Sequence, residues 1–100
     1  MVNKYIVYED AALDFEQIVH YITYKLKNKE GSLRLIKSFE KKINSIVKFP
    51  YSYPVIFDTK LEVEGLRKCA FDNYLIIYYI NEKLEQVEVV RIVYQREDFL

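Results

Sequence analysis

The hydrophobic period of this 100-residue chain changes from helical to strand-like after Phe49-Pro50, and nothing else in the sequence constrains the fold as strongly. Upstream, Phe15, Ile18, Val19, Ile22 and Leu26 fall at i, i+3, i+4, i+7 and i+11, and a second stripe follows at Ile36, Phe39, Ile43, Ile46 and Val47. Each draws one apolar face along a helix. Asn28-Lys29-Glu30-Gly31 separates the two, with the first helix expected to run to about Asn28. The residue before a proline disfavours the helical region, so Phe49-Pro50 ends the second. Two such helices joined by a short turn predict an antiparallel hairpin.

Downstream, the apolar runs are short and rich in β-branched and aromatic residues: 66–71, 74–80 and 87–94, separated by Asp72-Asn73 and Asn81-Glu82-Lys83. These read as strands, and links this short require antiparallel neighbours. Residues 74–80 (YLIIYYI) are apolar on both faces and are expected to be the most buried strand. Residues 4–8 (KYIVY) predict an opening strand, and Asp10 and Ser32 stand where helix N-caps belong. A short strand at 55–57 leaves the order open between βααβββ and βααββββ. The expected class is α+β: an N-terminal strand, a helical hairpin and a C-terminal antiparallel meander, the helices on one sheet face, in a single domain over residues 1–100.

Composition excludes more than it assigns. Two Gly and two Pro rule out low-complexity and collagen-like chains. No apolar run approaches the ~20 residues that span a bilayer, so no membrane role is expected. MVNKYIVYED has acids where a signal peptide has its apolar stretch, and one cysteine, Cys69, forms no internal disulfide, so the expected compartment is the cytoplasm. Ten Tyr and six Phe suit half-buried sheet faces and binding surfaces. The 15 basic and 15 acidic residues cancel, but residues 25–48 hold eight basic against two acidic, a local +6 balanced by −6 elsewhere. A neutral total counts against a dedicated nucleic-acid enzyme.

Few residues offer chemistry. His20 is the only histidine, and its spacing from Cys69 matches no zinc pattern; no metal is expected. His20 reads as a helix-surface histidine and Cys69 as a small buried thiol. Gly31 and Gly65 stand alone, which excludes phosphate-cradling glycine loops. What remains is a basic and tyrosine-rich C-terminal half: Arg67 and Lys68 open one strand, Arg91 lies in the last, and Tyr94-Gln95-Arg96-Glu97-Asp98 follows. Solvated strand ends with local ion pairs are the ordinary reading of such residues. Outward lysines such as Lys37 and Lys41 are ordinarily solubilising.

The chain resembles the RelE/ParE superfamily of bacterial type II toxins over nearly its full length. The residues that carry the likeness are the opening strand, Ala11-x-x-Asp14-Phe15-x-x-Ile18, Phe49-Pro50, Gly65-Leu66-Arg67-Lys68, the tyrosine strand beginning at Tyr74, and the close Arg91-Ile92-x-Tyr94-x-Arg96-x-Asp98. That close is similar to the superfamily's Arg-Ile-x-His-x-Arg-x-Asp ending.

The resemblance implies a growth-inhibiting toxin neutralised by a small cognate antitoxin in a hetero-oligomer, without a cofactor. It places partner contacts at Tyr21, Tyr24, Lys37 and Lys41. RelE-like members cut messenger RNA on the ribosome with basic residues and a Tyr or His; here that role would fall to Lys68, Tyr94 and Arg96. Arg67 and Arg91 would then contact target or phosphate. In those nucleases an Arg commonly follows the aromatic that opens the central strand, and here that position is Leu75. ParE-like members lack the nuclease set and poison DNA gyrase by binding it, and the missing Arg at Leu75 together with the zero net charge favours that reading. A ribosome-dependent ribonuclease and an inactive relative that only binds partners are the alternatives.

Overall fold

The computed structural model describes residues 2–57 and 64–95. The order is β1 (Lys4–Val7), α1 (Glu9–His20), a π-helical turn (Tyr21–Lys25), α2 (Lys29–Lys48), a 3₁₀ turn (Pro50–Ser52), β2 (Arg67–Phe71), β3 (Tyr74–Asn81) and β4 (Gln86–Tyr94). The sheet runs β1-β4-β3-β2. β2, β3 and β4 form the expected antiparallel meander, and β1 joins the far edge parallel to β4.

The second helical stripe sends Phe39, Ile43 and Ile46 into one core, while Phe15, Ile18, Val19 and Ile22 of the first pack only at its margin. Leu26 is exposed because the chain leaves the regular helix before it. Ala11, Leu35, Phe39, Ile43 and Ile46 pack onto Cys69, Phe71, Ile76, Tyr78, Val87, Val89 and Ile92 of the sheet. A second cluster lies on the opposite face, where Ile56 and Leu66 cover Ile77 and Val93, with Leu75, Tyr79 and Val90 at its margin. Ile76, Ile77 and Tyr78 are therefore inaccessible to solvent on both faces of β3, as the double-sided apolar pattern predicts. The buried Tyr78 ring keeps its polar tip satisfied by donating to the Pro50 carbonyl at 2.6 Å. Burial pushes its hydroxyl far above the ordinary tyrosine range.

Several local expectations are corrected. Helix α1 begins at Glu9, with Tyr8 rather than Asp10 at the N-cap position and no side-chain cap. Asp10 sits instead in the first turn, where its charge suits the helix dipole. Asn28, not Ser32, caps α2: its Oδ1 accepts from the Gly31 backbone N–H at 2.9 Å. Ser32 is buried between the helices and shares a 2.6 Å hydrogen bond with Thr23 Oγ1.

The first helix does not continue regularly to Asn28. Thr23 Oγ1 donates to the Val19 carbonyl at 2.7 Å, a contact that loosens a helix. The chain widens there into a π turn in which the Leu26 N–H reaches the Tyr21 carbonyl. Lys27 then takes a positive φ of 51° and reverses the chain. Residues 55–57 contribute a single bridge, Val55 to Arg67, rather than a strand. The register of β3 against β4 shifts between Ile77 and Tyr78, which face Arg91 and Val89, leaving Val90 as a bulge.

Leu75 is half-buried opposite Val93. Leu75→Arg is expected to cost about 2 kcal/mol by putting an unpaired cation into the outer cluster. That corresponds to a fall in Tm of about 10 °C for a domain of this size. An unchanged thermal midpoint would mean that position 75 is solvated.

Candidate functional site: the tyrosine-lined edge between helix and sheet

Strand β1 stops at Val7 while β4 runs on to Tyr94, so the outer edge of β4 lacks a strand partner beyond Val89. The Tyr8 N–H closes the β1 ladder on the Val89 carbonyl at 2.9 Å. Past that point helix α1 supplies the partner. Asp14 Oδ2 accepts from the Ile92 backbone N–H at 3.0 Å and from Arg91 Nε at 2.7 Å, and its Oδ1 accepts from Arg91 Nη2 at 3.0 Å. This fork-to-fork pair holds the guanidinium in place. Arg91, expected at target or phosphate, is thereby engaged by Asp14.

The clasp forms the floor of a hollow of about 350 Å³ lined by Asp14, Gln17, Tyr21, Tyr74, Arg91 and Tyr94. The Tyr74 and Tyr94 rings lie 5.6 Å apart on its sheet side. Tyr21 is shared with a second hollow of about 580 Å³, bounded by Leu13, Glu16, His20, Tyr24 and Lys25 on the outer side of α1. Leu13 is 48% exposed, Tyr21 50% and Tyr24 67%, so this apolar strip is open to a partner. The His20 ring, exposed as expected, packs on Tyr24 at 4.7 Å. Lys37 and Lys41 lie exposed on α2 and line neither hollow.

The pairing register decides where the other candidates point. Arg67 lies opposite Tyr78 and Lys68 opposite Ile77, so Arg67 faces the helices and Lys68 the other side of the sheet. Arg67 is absorbed locally: its Nη1 donates to the Tyr53 carbonyl at 2.7 Å and the Tyr51 carbonyl at 3.3 Å, and the guanidinium sits 5.2 Å above the Tyr51 ring. Tyr94 lies opposite Tyr74, on the helix side. Lys68 and Tyr94 thus occupy opposite faces of the sheet. Arg96 lies outside the described residues. Cys69 is buried, and desolvation pushes its thiol above the ordinary value. Among the described residues no cluster of three or more His, Cys, Asp or Glu is placed to hold a metal, and no helix is long and apolar enough to cross a membrane.

Sequence reasoning missed a buried carboxylate. Glu88 is 7% exposed on the face away from the helices. Its Oε1 accepts from Tyr8 Oη at 2.6 Å, and its Oε2 from Gln86 Nε2 at 2.7 Å and Asn81 Nδ2 at 3.0 Å. The Tyr8 hydrogen bond, followed by that of Gln86, holds the carboxyl below its ordinary range against the opposing effect of burial. The same bond raises the Tyr8 hydroxyl. Nothing in the alternation of β4 marks Glu88, because its three donors converge from the residue after β1, from β3 and from β4 only after folding.

A helical hairpin laid across a β1-β4-β3-β2 sheet, with its conspicuous side chains along the α1 edge, defines a small α+β domain of known kind. The family model described as "ParE toxin of type II toxin-antitoxin system, parDE" matches residues 5–99, and the chain belongs to that family. A chain of the chromosomal ParDE toxin–antitoxin system from P. aeruginosa shares the fold, with a TM-score of 0.67 over 94% of this chain and 96% of that one, at 15% identity. No curated protein sequence matches it.

Because the folded-state pKa of Glu88 lies below its unfolded value, its ionised form stabilises the fold at neutral pH. That contribution is lost as pH falls through the folded-state value. Glu88→Gln is therefore expected to destabilise the protein more at pH 7 than at pH 3.5 in urea unfolding. An equal loss at both pH values would show that Glu88 titrates alike in both states.

Proposed function

We propose that this type II toxin acts by binding rather than by cutting RNA, that its target is DNA gyrase, and that its cognate antitoxin covers the outer side of α1. The observation that carries the first part is the separation of Lys68 from Tyr94 across the sheet. A metal-independent ribonuclease needs a base, an acid and a cation around one phosphate, each within hydrogen-bond reach of the reacting atoms. Leu75, at the position where nuclease relatives commonly carry Arg, supports the same reading. The ParE family to which the chain belongs favours gyrase over the ribosome, and cytoplasmic action follows from that target.

Support for the antitoxin surface comes from the strip of Leu13, Tyr21 and Tyr24. It has an apolar centre and a polar rim at Glu16, Gln17 and Lys25, the usual anatomy of a protein interface. Tyrosines in such a place serve as anchors, since they bring large contact area at low entropic cost.

Induced expression with labelled thymidine and amino acids, followed over the first minutes, tests the target. Early loss of DNA synthesis with translation intact is the expected result. Early loss of protein synthesis would overturn it and make Lys68, Tyr94 and Arg96 the first residues to mutate. For the antitoxin surface, Tyr24→Asp is expected to weaken binding of the cognate antitoxin by about 2 kcal/mol, roughly thirtyfold. Calorimetric titration showing wild-type affinity would remove Tyr24 from the interface.

A further inference from the structure

Apart from Lys25, at the rim of the antitoxin strip, the basic residues of 25–48 are used neither by that strip nor by the sheet edge, and the structure shows how they are arranged. Arg34, Lys37, Lys41 and Lys48 are all exposed on α2. At 3.6 residues per turn they fall within about 60° of arc, and at 1.5 Å per residue they extend along about 21 Å of a single helix. Among the described residues, none of the four makes an ion pair or a side-chain hydrogen bond. Glu30 precedes the stripe by one turn and Glu40 lies to one side of it, and neither neutralises it. The opposite side of α2 is consumed by the core through Leu35, Phe39, Ile43 and Ile46, so the stripe faces outward by necessity.

We infer that the α2 stripe is a docking surface for the phosphate backbone of duplex DNA. Two features favour that occupant over an acidic protein. The arc holds no apolar or aromatic side chain between its cations, whereas protein interfaces depend on such anchors. Its four charges also form a straight, rigid row, which suits a regular polyanion that is read by charge and needs no pocket. A single strand would call for stacking platforms among the cations, and the arc has none. Net neutrality of the chain does not oppose this, because a local field of one sign attracts a polyanion when the opposite charge lies elsewhere. The surface is distinct from the α1 strip, and the inference does not depend on which enzyme the toxin inhibits.

The test uses the purified chain and a labelled 30-base-pair duplex of arbitrary sequence, with binding followed by fluorescence anisotropy at 50 mM and 200 mM salt. Sequence-independent binding with a Kd of about 10⁻⁶ to 10⁻⁴ M is expected, steepening toward a log–log salt slope of about −4 for four neutralised phosphates. Lys37→Gln/Lys41→Gln is expected to weaken it about tenfold and flatten the slope by about 2 units. Lys4→Gln/Lys83→Gln removes the same net charge from exposed positions elsewhere and is expected to change it by less than about twofold. Glutamine preserves helix propensity, and circular dichroism melts confirm that both variants fold. Equal losses from the two pairs would make net charge the cause and overturn the assignment. So would absence of saturable binding, tighter binding of a single strand of the same length, or equal binding of a polyglutamate peptide.

Discussion

Backbone donors along an exposed sheet edge must be satisfied, and in this protein the edge of β4 outlasts its neighbour. β1 offers partners only as far as Val89, while β4 continues to Tyr94. The Asp14 carboxylate takes over at Ile92 and gathers Arg91 at the same time. That substitution dictates where α1 lies relative to the sheet, because a carboxylate one turn into the helix has to reach a backbone N–H. With α1 fixed there, Gln17 and Tyr21 come opposite Tyr74 and Tyr94, and the tyrosine-lined hollow follows as a consequence of edge chemistry. A helix doing the work of a strand also blunts the edge against unwanted pairing.

Much of the architecture is legible in the periods alone. The helical spacing of Phe39, Ile43 and Ile46 and the unbroken apolar run of β3 both name the core correctly. The places where reading fails are those where two local solutions compete and a distant contact decides. Ser32 is a good N-cap in isolation, but burial against Thr23 leaves Asn28 to cap the helix. Asp10 yields because the Tyr8 backbone closes the β1 ladder on Val89 and its carbonyl already accepts from the Ala12 N–H, so the helix starts two residues earlier. The faces of Arg67 and Lys68 depend on a pairing register that a single residue would invert, and only the partners Tyr78 and Ile77 resolve it. Of the candidate site, Arg91 and the tyrosines were visible as residue types. The clasp that organises them was not, since Asp14 stands 77 residues away in sequence.

The two helices divide labour. α1 spends its inner side on the sheet and keeps an aromatic strip outside; α2 buries a fuller stripe and turns the cations Arg34, Lys37, Lys41 and Lys48 outward, with Leu33 exposed beside them. A protein that must meet a neutralising partner and a target separately benefits from such segregation, because the two surfaces differ in the forces that govern them. Apolar association is insensitive to ionic strength, whereas attraction through the α2 stripe is screened over a Debye length of about 8 Å at physiological salt.

The N-terminal strand carries a different consequence. All four of its residues are exposed, and it is joined to the sheet along one side only, with Glu88 reaching Tyr8 just past its end. It is held by a single ladder and by the Tyr8–Glu88 bond, whereas β3 is paired on both sides and buried on both faces, so the amides of β1 are expected to open before those of β3. The sheet is continuous in geometry but graded in permanence. In deuterium exchange β1 would mark time separately from the meander, and a protease able to grip an extended segment would find its first purchase there rather than in any turn of the helical hairpin.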